Sequence, residues 1–472
     1  MNVLDKVLRL WPIPYPFLLE ERVVKKEATF LSGSIGKAMI AFSGPFMLGI
    51  LVQNLYGAVD LFVVGHYATT IDVSAVTIGS QLMTIVTQLV IGLATGITML
   101  IGLYCGGGNN RRLSRTVGSS IILFGVIAAV LTIIYLALHG VLATLMQTPA
   151  EALPATKGYL LYCSLGIVFI VGYNVINSIL TGMGDSRTPF IFILVACLIN
   201  VVLDVVLVKY VGMGASGAAI ATTTAQAGSF FFALIFLKKK GLGFAFEKKD
   251  IRFDKDQILR IVRVGGPVAV QNVLVSLSFL FITAIINQMG VTASAAVGVV
   301  EKLITFLFVP ATAMGTAVGT ASAQNIGAGQ KKRAKKALWT GIMLALVPAV
   351  IITLYCQFFG ATLTGILTGD AQVISLAATY LKSYIIDILM VSFVFCMNGY
   401  FNSCGKAWFS LLHSLLTTFL LRIPLAFFFS RIPGGSLFEI GFAAPASTLA
   451  SIILCFLFLW RLGQPFQEIE AS

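Results

Sequence analysis

The sequence predicts an all-α polytopic membrane protein, and three observations carry that prediction. Of 472 residues, 58% are hydrophobic and only 11% charged, with a mean hydropathy of +0.94. Soluble domains carry about 25% charged residues, so a water-exposed globule would have nowhere to put these apolar side chains. The apolar residues form long continuous runs, of the roughly 20 residues that span a bilayer as a helix. They do not alternate, which disfavours a membrane barrel. The basic residues sit in short gaps between runs and favour one side, as cytoplasmic loop charges do.

The same placement sets aside nucleic acid as the partner of a chain with net charge +13 and pI about 9.4. The seven cysteines, among them Cys163, Cys197, Cys396 and Cys455, fall within apolar runs or near their ends. They have no CxxC spacing and read as small packing residues, with no disulfide framework or metal site. Residues 1–35 alternate charge with Pro12, Pro14 and Pro16 and lack the compact apolar stretch of a signal peptide. Trp11, Tyr15 and Phe17 fit headgroup-level anchors.

Twelve spans follow, at 37–64, 73–104, 116–139, 153–181, 189–208, 214–237, 258–287, 293–325, 335–358, 372–402, 408–430 and 438–460. Several are longer than a bilayer requires and imply tilt or bends. The first holds Pro45 in its interior, where a lost backbone N–H should bend the helix and could gate it. The second carries GLATG (92–96) and GLYCG (102–106), and the eighth GTAVG (315–319). These GxxxG patterns imply close helix packing. Arg111, Arg112 and Arg115 precede the third span, and Arg187 the fifth. Nine basic residues lie between Lys238 and Arg263, and five between Lys331 and Lys336. The opposite side holds only Lys157, Lys209 and Arg431, so both termini are expected in the cytoplasm. The resulting division is a cytoplasmic arm (1–36), a first lobe (37–237), a linker (238–257), a second lobe (258–460) and a tail (461–472).

The two lobes repeat at a nearly constant offset along the chain. Gly44-Pro45 recurs as Gly266-Pro267, and Gly106, Gly108, Arg111 and Arg112 recur as Gly327, Gly329, Lys332 and Arg333. Tyr159, Asn177 and Gly184 recur as Tyr380, Asn398 and Gly405. Six spans per unit is an even number, so the units run in parallel about an axis along the membrane normal. Two-lobed transporters use such repeats, with substrate where the lobes meet.

Polar residues within the spans are the candidate functional groups. A charge near the bilayer centre costs about 2.5–3.5 kcal/mol on insertion scales. Asp60 in the first span and Asp204 in the fifth each lie five residues, about 8 Å, from the outer end. Asn200 shares a helix face with Asp204, as Gln53 and Tyr56 do with Asp60. Asn174, Asn177 and Thr181 form a stripe on the fourth span, and Thr222, Thr223 and Thr224 lie on the sixth. Carboxylates with amide and hydroxyl neighbours can hold Na⁺ through oxygens, here at Asp60, Asp204 and Asn200, or can hold a proton. Interhelical hydrogen bonding is the structural alternative. In the second lobe Glu301 and Lys302 diverge as helix neighbours, and a Glu301–Arg422 or Asp387–Arg422 ion pair is expected. Contact of Asp387, Arg422 and Tyr56 with substrate is the sharper expectation. His66, His139 and His413 sit near span ends without partners for a metal or for catalysis, so neither an enzyme nor a cofactor is implied.

The segments GPFMLGILVQNLYGAVDLFVVG (44–65), ILTGMGDSRTPFIFILVACLINVVLDVVLV (179–208), GMGASGAAIATTTAQ (212–226) and QNIGAGQKKRAKKAL (324–338) resemble the MATE family, the multidrug and toxic compound extrusion transporters. The resemblance covers about residues 30–460. It implies two six-helix lobes around a V-shaped central cleft, and Na⁺- or H⁺-driven export of amphipathic, often cationic, compounds. By matching position it places Gln53, Asp60, Asn174, Asn177, Asn200, Asp204 and Thr222 in the first-lobe coupling network of the DinF-like branch, and Pro45 at that branch's bending proline. The NorM-like branch has acids in the seventh and tenth spans. Here Val275 stands at the first position, and Asp387 lies about one turn from the second. A lipid-linked precursor or natural-product flippase of the same superfamily is the alternative, which calls for a more charged cleft and helices beyond twelve. The expected partners are small amphipathic substrates and the bilayer of the inner cell membrane, with the chain acting as a monomer.

Overall fold

The computed structural model describes residues 30–432 and 436–461. The anchors Trp11, Tyr15 and Phe17, most of the arm and the tail beyond Arg461 lie outside the described residues. Among those residues there are helices and no strand.

The first lobe contains α1 (Ile35–Tyr67), α2 (Thr70–Gly106), α3 (Asn110–Leu145), α4 (Leu153–Met183), α5 (Arg187–Asp204) and α6 (Gly214–Lys240). A π-helical turn, Val205–Tyr210, extends α5. A 3₁₀ turn (Lys248–Asp250) precedes the second lobe. That lobe contains α7 (Lys255–Asn287), α8 (Val291–Leu307), α9 (Val309–Gly327), α10 (Lys331–Gly365), α11 (Ala371–Tyr384), α12 (Asp387–Ser403), α13 (Ala407–Thr417), α14 (Ile423–Ser430), α15 (Leu437–Gly441) and α16 (Ala443–Arg461). A second π turn, Thr418–Arg422, joins α13 to α14. Eleven helical stretches are long and apolar enough to span, and the α11–α12 pair, bent by 47°, makes a twelfth.

The helices outrun the predicted apolar limits because polar caps finish them. Thr69 and Asp72 form a reciprocal capping box at α2, with Asp72 N donating to Thr69 Oγ1 at 3.3 Å and Thr69 N to Asp72 Oδ2 at 3.1 Å. Asp254 accepts from Asp256 N and Gln257 N at the start of α7. Lys238, Lys239 and Lys240 complete the last turn of α6, where cations favour the carbonyl end of the dipole. The non-helical linker is therefore 241–254, apart from its 3₁₀ turn, and shorter than the expected 238–257.

The remaining departures have backbone causes. Pro310, near the start of α9, supports a restart after Phe308, which splits the eighth span. Pro424 lacks the N–H that would bond within the preceding turn, and the π turn ends just before it. Pro45 lies inside α1, which runs unbroken from Ile35 to Tyr67, so the expected bend is not a break in the helix.

The repeat is written in the backbone. Gly108 and its repeat mate Gly329 take φ of 64° and 72°, and Gly184 and its mate Gly405 take 90° and 72°. These are left-handed positions that favour glycine. The lobes meet through the GxxxG glycines of α2 and through Gly327 of α9. A Cβ on Gly92 would overlap the backbone of Ala269, and one on Gly96 the carbonyl of Ile261. A Cβ on Gly106 would overlap the carbonyl of Gln324, and one on Gly327 that of Leu103. The last two contacts are reciprocal, because 103 and 324, like 106 and 327, are repeat mates. This seam lies in the half of α2 nearest the linker, so the lobes are closed on the linker side.

Candidate functional site

Helix phase brings the first-lobe polar residues together. Asp60 on α1 is buried, and its Oδ2 accepts from Thr222 Oγ1 of α6 at 3.0 Å. Thr222 Oγ1 in turn accepts from Asn200 Nδ2 of α5 at 3.4 Å. Asp204 lies one helical turn beyond Asn200 and is fully buried, close enough to Asp60 for the two carboxyls to interact electrostatically. The π turn starts at the next residue. Such insertions often mark functional positions because they re-aim side chains. Asp60 Oδ1, Asn200 Oδ1 and both oxygens of Asp204 are buried without a hydrogen-bond donor. Four buried oxygens without a protein donor are costly unless a proton, a water or a hard cation visits them.

Asp60 also lines a cavity of about 670 Å³ that runs along the first lobe to the second. Gln53, Tyr56, Asn174, Asn177 and Thr222 line it too. Tyr56 Oη accepts from Gln226 Nε2 at 3.2 Å. Asn174 Nδ2 donates to the Ile170 carbonyl at 2.8 Å, and Asn177 Oδ1 accepts from Thr181 Oγ1 at 3.3 Å. These two asparagines face the cavity but spend these bonds within α4. The second lobe contributes Thr305, Thr312 and Thr316, and Asn54 Nδ2 crosses to the Thr305 carbonyl at 3.1 Å.

Sequence reasoning missed Gln226, Tyr159 and Tyr173 among the lining residues. Their signal was present. Gln226 is four residues from Thr222, and Tyr159, Tyr173, Asn177 and Thr181 share the helical phase of one α4 face.

The second lobe departs from expectation. Asp387 and Arg422 do not line the cavity. Arg422 Nη2 donates to Tyr384 Oη at 2.7 Å, and its guanidinium lies 4.5 Å from the centroid of the Phe279 ring. Among the described residues it has no carboxylate within 4.0 Å, so neither expected ion pair forms. Tyr384 and Phe279 supply a hydroxyl and a π-face instead, a pairing that a linear sequence does not reveal. Glu301 Oε1 accepts from Thr283 Oγ1 at 3.4 Å and Lys302 is exposed, so the two diverge as expected. His413, expected near a span end without partners, is buried with its Nε2 2.8 Å from Asn398 Oδ1 and its Nδ1 3.4 Å from Ser451 Oγ.

Comparison with known proteins identifies the family. The MatE family model matches twice, over residues 45–206 and 267–428, once in each lobe. The chain is 25% identical over 447 residues to the "probable multidrug resistance protein YoeA" of Bacillus subtilis, covering 93% of this chain and 96% of that one. It is 25% identical to an "FAD transporter" of Shewanella oneidensis, covering 95% and 100%. It is 23% identical to the "multidrug export protein MepA" of Staphylococcus aureus, covering 93% and 98%. Among solved structures, an outward-facing multidrug resistance MATE transporter aligns with TM-score 0.88 at 21% identity, covering 93% of this chain and 98% of that one. With both lobes matched and the helical fold shared, the chain belongs to the MatE family of multi-pass membrane transporters.

Proposed function

We propose that this chain is a secondary active antiporter that exports amphipathic compounds in exchange for H⁺ or Na⁺. The four buried, donor-free oxygens of Asp60, Asn200 and Asp204 carry the proposal. A cation or proton entering from outside neutralises the pair, and its release into the cell lets the cycle return. Each charge crossing supplies about 2.3 kcal/mol per 100 mV, enough for about 50-fold accumulation. The first lobe (37–237) is the coupling half, and the second (258–460) completes the path for cargo. The basic stretch around the linker 241–254 is cytoplasmic, as are the arm (1–36) and the tail (461–472), in keeping with the charge bias. The cavity is lined by both lobes of one chain, which supports a monomer as the functional unit.

The lining favours neutral or cationic cargo. Among the described residues it contains Asp60 and many hydroxyls and amides, but no lysine or arginine. An anionic dinucleotide, the cargo named for the Shewanella relative, would find no counter-charge there. The more charged cleft that a lipid-linked flippase calls for is likewise missing from this lining. Names of relatives such as MepA support efflux.

The test is dye efflux from proteoliposomes, with Na⁺ and pH gradients imposed separately. Asp60→Asn and Asp204→Asn are each expected to abolish gradient-driven export while the protein stays folded. Normal export by both variants would refute the coupling role. The gradient that drives the parent identifies the ion.

A further inference from the structure

Two chain segments outside the cavity link the lobes on the linker side, and they do so reciprocally. The segment before α1 belongs to the first lobe but is held by the second. Arg333 Nε donates to the Phe30 carbonyl at 2.8 Å, and Arg333 Nη2 to the carbonyls of Ser32 and Gly33 at 2.8 and 3.0 Å. Asn325 Nδ2 donates to the same Phe30 carbonyl at 3.0 Å. The Phe30 ring is buried, edge-on to Phe42 at 5.6 Å.

The segment before α7 leads into the second lobe but is held by the first. Ser114 Oγ of α3 donates to the Ala245 carbonyl at 2.7 Å, and Ser119 Oγ to the Arg252 carbonyl at 3.5 Å. Gly118 lets the Asp250 carbonyl press against α3, where any Cβ would overlap it. Thr116 Oγ1 donates to Gln257 Oε1 at 2.8 Å. The helices that hold the straps, α3 and α10, are repeat mates. Each lobe therefore clasps the leading strap of the other.

We propose that these exchanged straps form a bolt that keeps the linker side closed, and that Arg333 is the positioning residue that sets how often it opens. The inference rests on the transport reading above, because a cycle that releases an ion to the cytoplasm must part the lobes on this side. Parting them pulls Phe30–Gly33 off Arg333, and the 245–252 segment off α3, while the glycine seam opens. The guanidinium fork holds three carbonyls at once, a geometry that a lysine ammonium does not reproduce. The strap of α7 is held by hydroxyls, which are weaker donors. The bolt is thus stronger at Arg333 than at α3.

The experiment is hydrogen–deuterium exchange of the full chain in lipid nanodiscs, which needs neither cargo nor gradient. Arg333→Gln is expected to speed exchange about tenfold in peptides covering 98–108 and 320–330, the effect of losing roughly one net charge-assisted bond. Peptides covering 66–72 and 286–292, on the far side, keep the parent rate. Arg333→Lys gives an intermediate increase. Unchanged exchange in the seam peptides would overturn the proposal, and so would an equal rise on both sides. Should Arg333→Gln fail to fold, the Ser114→Ala/Ser119→Ala double variant tests the other strap with the same peptides and expectations, at a smaller increase. Because the readout is conformational, a bolt without ion coupling, or coupling without a bolt, remains distinguishable.

Discussion

Thr222→Val is the sharpest perturbation of the first-lobe site. Valine keeps the shape of threonine and puts a methyl in place of the hydroxyl. That hydroxyl donates to Asp60 Oδ2 at 3.0 Å and accepts from Asn200 Nδ2 at 3.4 Å, so it joins α6 to both α1 and α5. A hydrogen bond to a charged group contributes about 1.5–3 kcal/mol net, and the neutral one to Asn200 adds about 0.5–1.5 kcal/mol. A change of about 1.4 kcal/mol is tenfold in an equilibrium constant. Only the bond to Asp60 depends on the charge that the coupling ion neutralises, so the half-saturating concentration of that ion should shift about 10- to 100-fold, or by one to two units if it is a proton. The assay is efflux rate in proteoliposomes against internal and external ion concentration, with protein amount matched by quantitative blotting. Thr222→Ser restores the donor and should return the shift to within about threefold of the parent. A valine variant with the parent's ion dependence would show that the Thr222–Asp60 bond takes no part in coupling.

The packing sets further outcomes. Gly106→Ala and Gly327→Ala force a methyl into a facing carbonyl across the lobe seam and should lower the thermal midpoint by several degrees, an effect of overpacking worth about 1–3 kcal/mol. Gly108→Ala meets no atom and is strained only by its left-handed φ, about 1 kcal/mol, so it should unfold at a higher temperature than either seam variant. Asp387→Asn should leave the binding of dye to the cavity within about twofold of the parent by fluorescence titration, because Asp387 lies outside the lining, and a loss of about 1.4 kcal/mol is needed for a tenfold change. Tyr384→Phe removes the hydroxyl that Arg422 contacts at 2.7 Å, and should destabilise the second lobe by about 1–3 kcal/mol in thermal unfolding.

Helix number, the repeat and the acids were legible because each leaves a local trace. A span is a continuous run of apolar residues, and a repeat is a fixed offset between landmarks. An acid placed against its insertion cost stands out in such a run. Asp60, Asn200, Asp204 and Thr222 could be gathered from depth and helical phase, since both are properties of one helix at a time. The GxxxG glycines announced close packing, though not which backbone they would meet.

What stayed hidden in the linear chain depends on which surfaces face each other. Arg422 looked like the partner of a carboxylate, because charge is visible in sequence and distance is not. The fold gives it Tyr384 and Phe279 instead. His413 looked idle near a span end, and the packing of α12, α13 and α16 surrounds it with Asn398 and Ser451. The second π turn and the break at Phe308 lie beside Pro424 and Pro310, whereas the first π turn left no mark in the sequence. Composition and periodicity were therefore enough for a two-lobed bundle with acids buried in its first half. Which oxygens lack donors, and which lobe holds which strap, emerged with the assembled helices, because hydrogen-bond satisfaction is a property of surroundings, not of sequence position.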